Sequence, residues 1–304
     1  GLRATRRLVF TGRPGRADDR AARPAHRGPG HVEVSVPRGA RTGRVVLEVA
    51  GFGRLATPAK VRVAKAPPLA AGAGERRYFL GARSKPAIVV QASGPGPVTV
   101  DVVEVASGKV VAQVTADVAA GSMPVRWDGR LPSGPAPTGR YRLQVSPAGG
   151  QAVGAPPATG PPFLLADHIF PIRGRHDLGQ TATNNFGGGR GHQGQDMFAA
   201  CGTRVAAAQG GTVKFADTDA RAGNYVVITG AQTGHDYVYM HMQQPSGLRK
   251  GEAVATGQRI GAVGDTGNAS GCHLHFELWS PPGWYTGGKA VDSLPLLRAW
   301  DGWS

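Results

Sequence analysis

Two short runs of residues carry the side chains that could do chemistry in this chain. His192 and Asp196 stand four residues apart, and His273 and His275 form a His-x-His pair later in the sequence. Imidazole nitrogens and carboxylate oxygens suit a zinc ion, and catalytic zinc uses three protein ligands and keeps a fourth position open. The two runs therefore predict a hydrolytic metal site.

The flanking residues predict the elements that position these side chains. Gly191 and Gly194 disfavour a helix, so we expect the first run on a loop that enters a strand. Residues 273–278 alternate between polar and apolar, which is typical of a half-buried strand. Both histidines of that strand then project from one face, roughly 7 Å apart, so that one can bind a metal while the other stands beside it.

A third histidine accompanies the two runs. A lone histidine pair is more often a surface or core feature, and a His and an Asp at this spacing are a weak signal by themselves. His241, in the run Tyr239–Met242, falls between the two runs in the same segment of the chain. The three elements together favour a site over a structural explanation.

These residues resemble the lysostaphin-type zinc endopeptidases, which cut peptide cross-bridges in bacterial peptidoglycan. The H-x-G-x-D motif of that family matches His192–Asp196, its Y-x-H motif matches Tyr239–His241, and its G-x-H-L-H-F-E motif matches Gly271–Glu277. The resemblance covers roughly residues 168–293.

The resemblance implies a role for each of five residues. It implies that His192, Asp196 and His275 bind zinc, with one ion in each chain. It also implies that His241 and His273 are non-ligand histidines that face the substrate. Inactive relatives usually lack some members of this set and none is missing here, so the resemblance implies a competent enzyme.

The chemistry explains why these residue types are needed. Zinc polarises the scissile carbonyl and lowers the pKa of its water from about 16 toward 7. A base must accept the proton of that water, and histidine suits this role because its unperturbed pKa is about 6.5. No glutamate follows a ligand in an H-E-x-x-H helix, so His241 and His273 are the local candidates. The sequence leaves open which of them is the base.

Three features near the motifs fall outside this set. Some family members use a tyrosine shortly before the first motif to stabilise the transition state. Residues 181–187 contain no tyrosine, so an Asn or a residue from another loop takes that role, or the role is absent. Glu277 is favoured as a structural strand carboxylate, with a hydrogen bond to a metal ligand as the alternative. His168, His176 and His235 fit no motif and are expected to be exposed to solvent.

The two cysteines of the chain flank the predicted site. Cys201 follows the first motif, and Cys272 directly precedes His273. Three better-matched zinc ligands already exist, so a disulfide formed in an oxidising compartment is favoured over two free thiols.

Composition and charge bound the possible partners. The chain has 304 residues and a formal net charge of +15. No run of eighteen apolar residues predicts a transmembrane helix, and the start at Gly1 without a signal peptide suggests a mature or truncated form. The basic residues are spread along the chain and not gathered with aromatic residues, which argues against nucleic acid and favours anionic wall polymers. We expect a secreted monomer.

The N-terminal half predicts two β-rich modules. Strands at 32–36 and 45–49 resemble part of a TIG-type immunoglobulin-like domain. The segments 98–103, 125–130 and 138–145 resemble the immunoglobulin-like domain of flagellar hook-capping proteins. The expected divisions are a TIG-type module that need not be complete, a hook-capping-like module, a linker rich in Pro, Gly and Ala, and the peptidase domain, at 1–66, 67–147, 148–167 and 168–304.

The sequence therefore predicts an all-β fold. Two immunoglobulin-like β-sandwich modules precede an antiparallel β-sheet peptidase domain of the duplicated hybrid-motif, hammerhead-barrel-like type, which ends in a short helix near residues 294–300. The predicted function is a secreted zinc endopeptidase that hydrolyses stem or cross-bridge peptides of peptidoglycan. The alternatives are a wall-binding or regulatory protein with a weakly active peptidase-like domain, and a zinc peptidase that acts on exogenous proteins.

Overall fold

The computed structural model describes most of the chain. The described residues are 2–11, 19–24, 26–27, 32–34, 37, 40–41, 43–57, 69–71, 77–92, 95–148, 157–189 and 191–304. Part of the predicted strand at 32–36 and part of the predicted linker at 148–167 lie outside them, namely residues 35–36 and 149–156.

Nearly all regular structure is β-strand, as predicted. The first part of the chain contains a 3-10 turn at Leu2–Ala4 and the strands β1 (Thr5–Phe10), β2 (Arg20–Ala22), β3 (His26–Arg27), β4 (Val32–Glu33), β5 (Val45–Val49), β6 (Gly53–Ala56), β7 (Leu69–Ala71), β8 (Arg77–Phe79), β9 (Ala87–Ala92), β10 (Gly96–Glu104), β11 (Val110–Val118), β12 (Gly121–Arg126), β13 (Arg130–Leu131), β14 (Gly134–Pro135), β15 (Gly139–Pro147), β16 (Ala158–Thr159) and β17 (Phe163–Ala166). The remainder contains β18 (His176–Asp177), β19 (Gln195–Ala199), β20 (Arg204–Ala206), β21 (Gly211–Asp219), β22 (Gly223–Gly230), β23 (Asp236–Met242), β24 (Ala253–Val254), β25 (Arg259–Ala262), β26 (His273–Trp279), β27 (Ala290–Val291) and the helix α1 (Leu294–Trp303).

Contacts group the chain into two compact units. The first comprises Gly1–Gly74, Ala87–Arg126 and Tyr141–Pro162, and the second comprises Glu75–Pro86, Trp127–Arg140 and Phe163–Ser304. Within the second unit, β8 pairs in parallel with β17, and the Thr256 hydroxyl donates a hydrogen bond to the Leu80 carbonyl. The immunoglobulin-like assignments and the domain boundaries given above stay predictions.

The first unit contains antiparallel sheets. β1 pairs with β2 and β5, and β5 pairs with β6. β10 lies between β11 and β15, while β9 lies between β12 and β7. Burial alternates along β10, where Val98, Val100 and Val102 are buried, because successive side chains of a strand point to opposite faces. The predicted strands at 45–49, 98–103 and 138–145 are thereby confirmed to within a few residues.

One antiparallel sheet of the second unit carries the residues that sequence assigns to the site. Its strand order is β18-β19-β26-β23-β22-β21-β24, with β27 paired to β26, and β20 pairs separately with β25. One face of this sheet buries Tyr237, Tyr239, Leu274 and Phe276 in the main core. Because successive side chains of β26 point to opposite faces, His273 and His275 point toward the other face of the sheet.

The helix α1 covers part of that core. It begins after Ser293 with a proline in its first turn, and it buries Leu297 and Trp300. The helix predicted at 294–300 is thereby confirmed. No helix among the described residues is long and apolar enough to cross a membrane.

One prediction about isolated histidines is wrong. His168 is buried and not exposed, because its ring stacks on Trp300 with centroids 4.4 Å apart. Its Nε2 also lies 2.6 Å from the Tyr237 hydroxyl. His176 and His235 are only partly exposed.

Candidate metal centre and catalytic groove

The predicted ligands converge where β19 and β26 lie side by side. Asp196 of β19 stands directly opposite His275 of β26, and His192 lies in the loop that leads into β19. The Asp196 Oδ1 is 3.1 Å from the His192 Nε2 and 2.8 Å from the His275 Nδ1. The two ring nitrogens are 3.0 Å apart. The loop-then-strand arrangement predicted from the glycines is thus correct.

The donor set of these three residues fits a cation. The His192 Nδ1 donates to the Asn185 carbonyl at 3.0 Å, and the His275 Nε2 faces the Glu277 Oε1 at 3.0 Å. When both rings are neutral, the nitrogens that face Asp196 therefore carry lone pairs. Three acceptor atoms at hydrogen-bonding distance need either extra protons or a positive ion between them, and two imidazoles with one carboxylate suit zinc.

The electrostatics of the cluster agree with this assignment. Burial raises the pKa of Asp196, but hydrogen bonds to His192 and His275 outweigh it and hold that pKa well below its usual range. The hydrogen bond to Asp196 raises the pKa of His192. Burial lowers the pKa of His275, but hydrogen bonds to Asp196 and Glu277 outweigh it and raise this pKa to about 9. The cluster therefore keeps an ionised carboxylate and favours positive charge.

Glu277 contacts one of the predicted ligands. It is buried, and its Oε2 accepts hydrogen bonds from the Trp279 Nε1 at 2.7 Å and the Trp284 Nε1 at 2.9 Å. Its Oε1 accepts the His275 Nε2–H, which fixes the ring orientation. The hydrogen bond between Glu277 and His275, a predicted zinc ligand, is therefore present, as the alternative to a purely structural carboxylate requires. Sequence spacing did not reveal the two tryptophan donors.

An open groove of about 780 Å³ lies over this face of the sheet. The five side chains that the sequence assigns to the site all line it, namely His192, Asp196, His241, His273 and His275. Its lining also includes Gln193, Arg221, Trp284 and Tyr285, which sequence reasoning did not assign. The structure thus brings the whole predicted set together.

A β-bulge turns His241 into the groove. The pairing of β22 with β23 shifts between Asn224 and Val226, so that Met240 and His241 both stand opposite Tyr225. His241 has a φ of 61°, which non-glycine residues rarely adopt. Met240 and His241 consequently both line the groove although they are consecutive.

His241 and His273 present the same ring nitrogen to the groove. The His241 Nδ1 donates to the Thr266 carbonyl at 2.8 Å, and the His273 Nδ1 donates to the Gly271 carbonyl at 2.8 Å. The Nε2 of each neutral ring is therefore the basic nitrogen, and the ring centroids are 4.7 Å apart. Burial lowers the pKa of His241 to about 4, although the bond to Thr266 acts in the opposite direction. The His241 ring is thus neutral near pH 7.

A tyrosine from another loop reaches the groove. Tyr285 lies between β26 and β27, and its hydroxyl donates to the Gln193 Oε1 at 2.9 Å. Residues 181–187 contain no tyrosine, and one alternative was that a residue from another loop replaces it. Tyr285 is a residue from another loop that is present at the groove. The close spacing of Trp279, Trp284 and Tyr285 is the sequence signal that could have indicated an aromatic wall.

The predicted disulfide is present and lies beside the site. Cys201 and Cys272 are bonded, with their Cα atoms 5.3 Å apart. Cys201 follows the end of β19, and Cys272 precedes the first residue of β26. The bond therefore ties together the ends of the two strands that carry Asp196 and His275.

The sequence profile of peptidase family M23 matches residues 190–293, the segment that contains all five side chains. The chain contains an M23 peptidase domain. The resemblance to lysostaphin-type peptidases that the motifs indicated is thereby confirmed.

Characterised proteins resemble the M23 domain over part of their length. The peptidoglycan DD-endopeptidase ShyA of Vibrio cholerae is 42% identical over 89 residues, which cover 29% of this chain and 20% of ShyA. The L-Ala–D-Glu endopeptidase of Bacillus subtilis is 30% identical over 152 residues, which cover 45% of each protein. The chain therefore spans less than half the length of either relative. The catalytic domain of the antimicrobial peptidase lysostaphin from Staphylococcus simulans is similar at 27% identity, with a TM-score of 0.34, over 42% of this chain and 92% of that one.

Proposed function

We propose that the M23 domain is a zinc-dependent endopeptidase that hydrolyses peptide bonds in peptidoglycan, and that it acts outside the cytoplasm. One observation carries the proposal. Three acceptor atoms converge on one point of an open groove, and two further histidines present basic nitrogens to the same groove. The similarity to ShyA, a peptidoglycan DD-endopeptidase, and to an L-Ala–D-Glu endopeptidase supports the substrate class.

His192, Asp196 and His275 would hold the zinc ion. Zinc at this position supplies a Lewis acid that polarises a peptide carbonyl and lowers the pKa of water. Asn185 and Glu277 orient the two imidazoles through their outer nitrogens, which keeps the lone pairs directed at one point. Asp196 supplies the negative charge of the ligand set.

His241 and His273 would carry the proton. Each ring is locked by a hydrogen bond from Nδ1 to a backbone carbonyl, so its Nε2 can accept a proton from water and return it to the departing amine. The bulge at His241 and the start of β26 at His273 place the two rings in contact. We propose that they form one proton path.

Clearance of purified cell wall tests the proposal. The full chain should lower the turbidity of a wall suspension, a zinc chelator should stop the reaction, and added zinc should restore it. His273→Ala should abolish clearance while keeping zinc, whereas His235→Ala, a matched change of a histidine outside the groove, should leave clearance unchanged. A chain that binds wall and zinc but releases no peptide fragments would favour the wall-binding or regulatory alternative.

The wider context is part of the same proposal. We propose that the protein works as a monomer, that its substrates are stem or cross-bridge peptides, and that its net charge of +15 attracts it to anionic wall polymers. We also propose that the N-terminal modules are immunoglobulin-like and act as spacers or binders. Mass spectrometry of fragments from defined muropeptides would identify the bond that is cut.

A further inference from the structure

A turn that the sequence motifs do not include forms part of the groove. The turn Asp219–Ala222, called here the Arg221 turn, is held by the Asp219 Oδ1, which accepts the Arg221 N–H at 2.7 Å and the Ala222 N–H at 3.1 Å. The Ala222 carbonyl accepts the backbone N–H of His241 at 2.9 Å. A backbone hydrogen bond therefore fixes the position of this turn relative to His241, which belongs to the proposed proton path.

The other side of the turn is also fixed. The Asn268 N–H donates to the Arg221 carbonyl at 2.9 Å, and the Asn224 N–H donates to the Thr266 hydroxyl at 3.0 Å. Thr266 and Asn268 lie in the same loop, and the Thr266 carbonyl also accepts a hydrogen bond from the His241 Nδ1–H. The base of the Arg221 side chain is thus held at the edge of the groove, while the side chain itself is exposed.

Arg221 carries a positive charge that no salt bridge among the described residues holds, although backbone hydrogen bonds and the charge of Arg221 lower the pKa of the neighbouring Asp219 carboxyl. Three carboxylates line the groove, and none of them forms a salt bridge with the Arg221 guanidinium among the described contacts. Asp196 belongs to the metal cluster, Glu277 accepts from His275 and two tryptophans, and Asp219 accepts from its own turn. No ion pair of Arg221 is found within the described part of the chain, and Arg221 is the only lysine or arginine among the described residues that line the groove.

A second element offers the groove an apolar contact. Tyr285 lies in the loop Ser280–Lys289, called here the aromatic loop, where it is 69% exposed, has a φ of 48° and packs against Trp284 with centroids 4.9 Å apart. The loop is anchored, because the Asp236 Oδ2 accepts hydrogen bonds from the Lys214 Nζ at 2.6 Å and from the Trp284 backbone N–H at 2.8 Å. These contacts hold a large aromatic ring exposed at the groove in a backbone conformation that non-glycine residues rarely adopt.

We propose that Arg221 is a specificity-determining residue that pairs with a free carboxylate of the peptide substrate, and that Tyr285 packs on the same peptide whatever its charge. The inference rests on the proposed function and names its substrate class: peptides with a free carboxylate near the scissile bond are preferred to their carboxamides and to uncharged bridges. A guanidinium matches a carboxylate with two parallel hydrogen bonds, which an uncharged amide cannot reproduce.

A matched pair of substrates tests this preference. The substrates are one cross-linked muropeptide with a free side-chain or α-carboxylate and the same muropeptide with that group amidated. The wild-type chain should have a higher kcat/KM for the carboxylate, by up to about fivefold, which is the upper end for a solvent-exposed ion pair, and the ratio should fall as salt is added. Arg221→Gln should bring the ratio to about one, mainly by lowering the value for the carboxylate.

Control variants separate charge recognition from general effects. Arg249→Gln, which removes an exposed arginine outside the groove, should leave the ratio and both rates unchanged. Tyr285→Ala should lower kcat/KM for both substrates by a similar factor and leave their ratio intact. A ratio of one in the wild-type chain, or an unchanged ratio in Arg221→Gln, would overturn the proposal.

A binding measurement keeps this inference separate from the proposed function. If the wild-type chain hydrolyses neither muropeptide, the proposed function fails. Calorimetric titration of His241→Ala with the two intact peptides still decides the role of Arg221. The inference is supported if His241→Ala binds the carboxylate peptide more tightly and this preference disappears when Arg221→Gln is added to His241→Ala. Equal affinity of His241→Ala for both peptides refutes the inference.

Discussion

Glu277 gives the sharpest test of how the fold supports the candidate metal centre. Three donors converge on its carboxylate, namely the His275 Nε2–H and the indole N–H groups of Trp279 and Trp284. Glu277→Gln keeps the shape of the side chain but leaves one oxygen acceptor and adds an N–H group. At least one donor then loses its partner or meets another donor.

The expected magnitude follows from two separate effects. Loss of a carboxylate that orients a metal-binding histidine typically lowers metal affinity by about 10–100-fold. A buried donor without a partner costs about 1–3 kcal/mol of folding free energy. Glu277→Gln should therefore weaken zinc binding by at least about tenfold and destabilise the domain by about 1–3 kcal/mol.

Two assays keep these effects apart. Competition with a chromogenic chelator gives the zinc affinity, and denaturant unfolding of the zinc-free chain gives the stability. Glu252→Gln, a change of an exposed glutamate outside the groove, is the matched control and should alter neither value by much. If Glu277→Gln loses stability but binds zinc within twofold of the wild-type chain, Glu277 only supports the sheet and the argument for ligand orientation is refuted.

Three further expectations follow from the same geometry. His241→Ala and His273→Ala should each keep zinc by elemental analysis and lose about 10²–10⁴-fold in turnover, and the double variant should lose little more because the two rings serve one proton path. Reduction of the disulfide, which spans 71 residues, should lower the unfolding free energy by about 4 kcal/mol in denaturant titrations of the oxidised and reduced chain. Gly194→Ala should weaken zinc binding in the chelator competition, since its Cβ would lie 2.5 Å from the Phe276 carbonyl oxygen, whereas Gly271→Ala has open space and should bind zinc normally.

The sequence was sufficient for features that depend on local pattern. Alternation along residues 273–278 predicted β26, and the two glycines near His192 predicted a loop entering β19. The positions of Cys201 and Cys272 at the two ends of the motif set predicted their bond. For the strand and the loop the information lies in residue type and spacing within one short segment, and for the disulfide it lies in the positions of the two cysteines relative to the motifs.

Other features depend on contacts between distant segments. His168 was expected at the surface because it fits no motif, yet Trp300 covers its ring from the other end of the domain. The two tryptophan donors of Glu277 and the approach of Tyr285 to Gln193 depend on how the aromatic loop folds back over the sheet. No local pattern records such a return, so the wall of the groove could not be predicted while its centre could.

The aromatic loop and the candidate metal centre are physically coupled, and this decides which measurements a substitution in the loop requires. Trp284 donates to Glu277, and Glu277 in turn accepts from the ring of His275. A change at Trp284 therefore disturbs a predicted zinc ligand as well as the substrate wall, so its effect on turnover has two causes. The Tyr285 hydroxyl donates a hydrogen bond to Gln193, and Tyr285 makes no hydrogen bond to Glu277 among the described contacts. The Tyr285 ring nevertheless packs on Trp279 and Trp284, with centroids 5.1 and 4.9 Å apart, so its removal disturbs the donors of Glu277 indirectly. A substitution at either position must therefore be accompanied by a measurement of zinc affinity, and a loss of turnover at unchanged zinc affinity reports on the peptide in the groove.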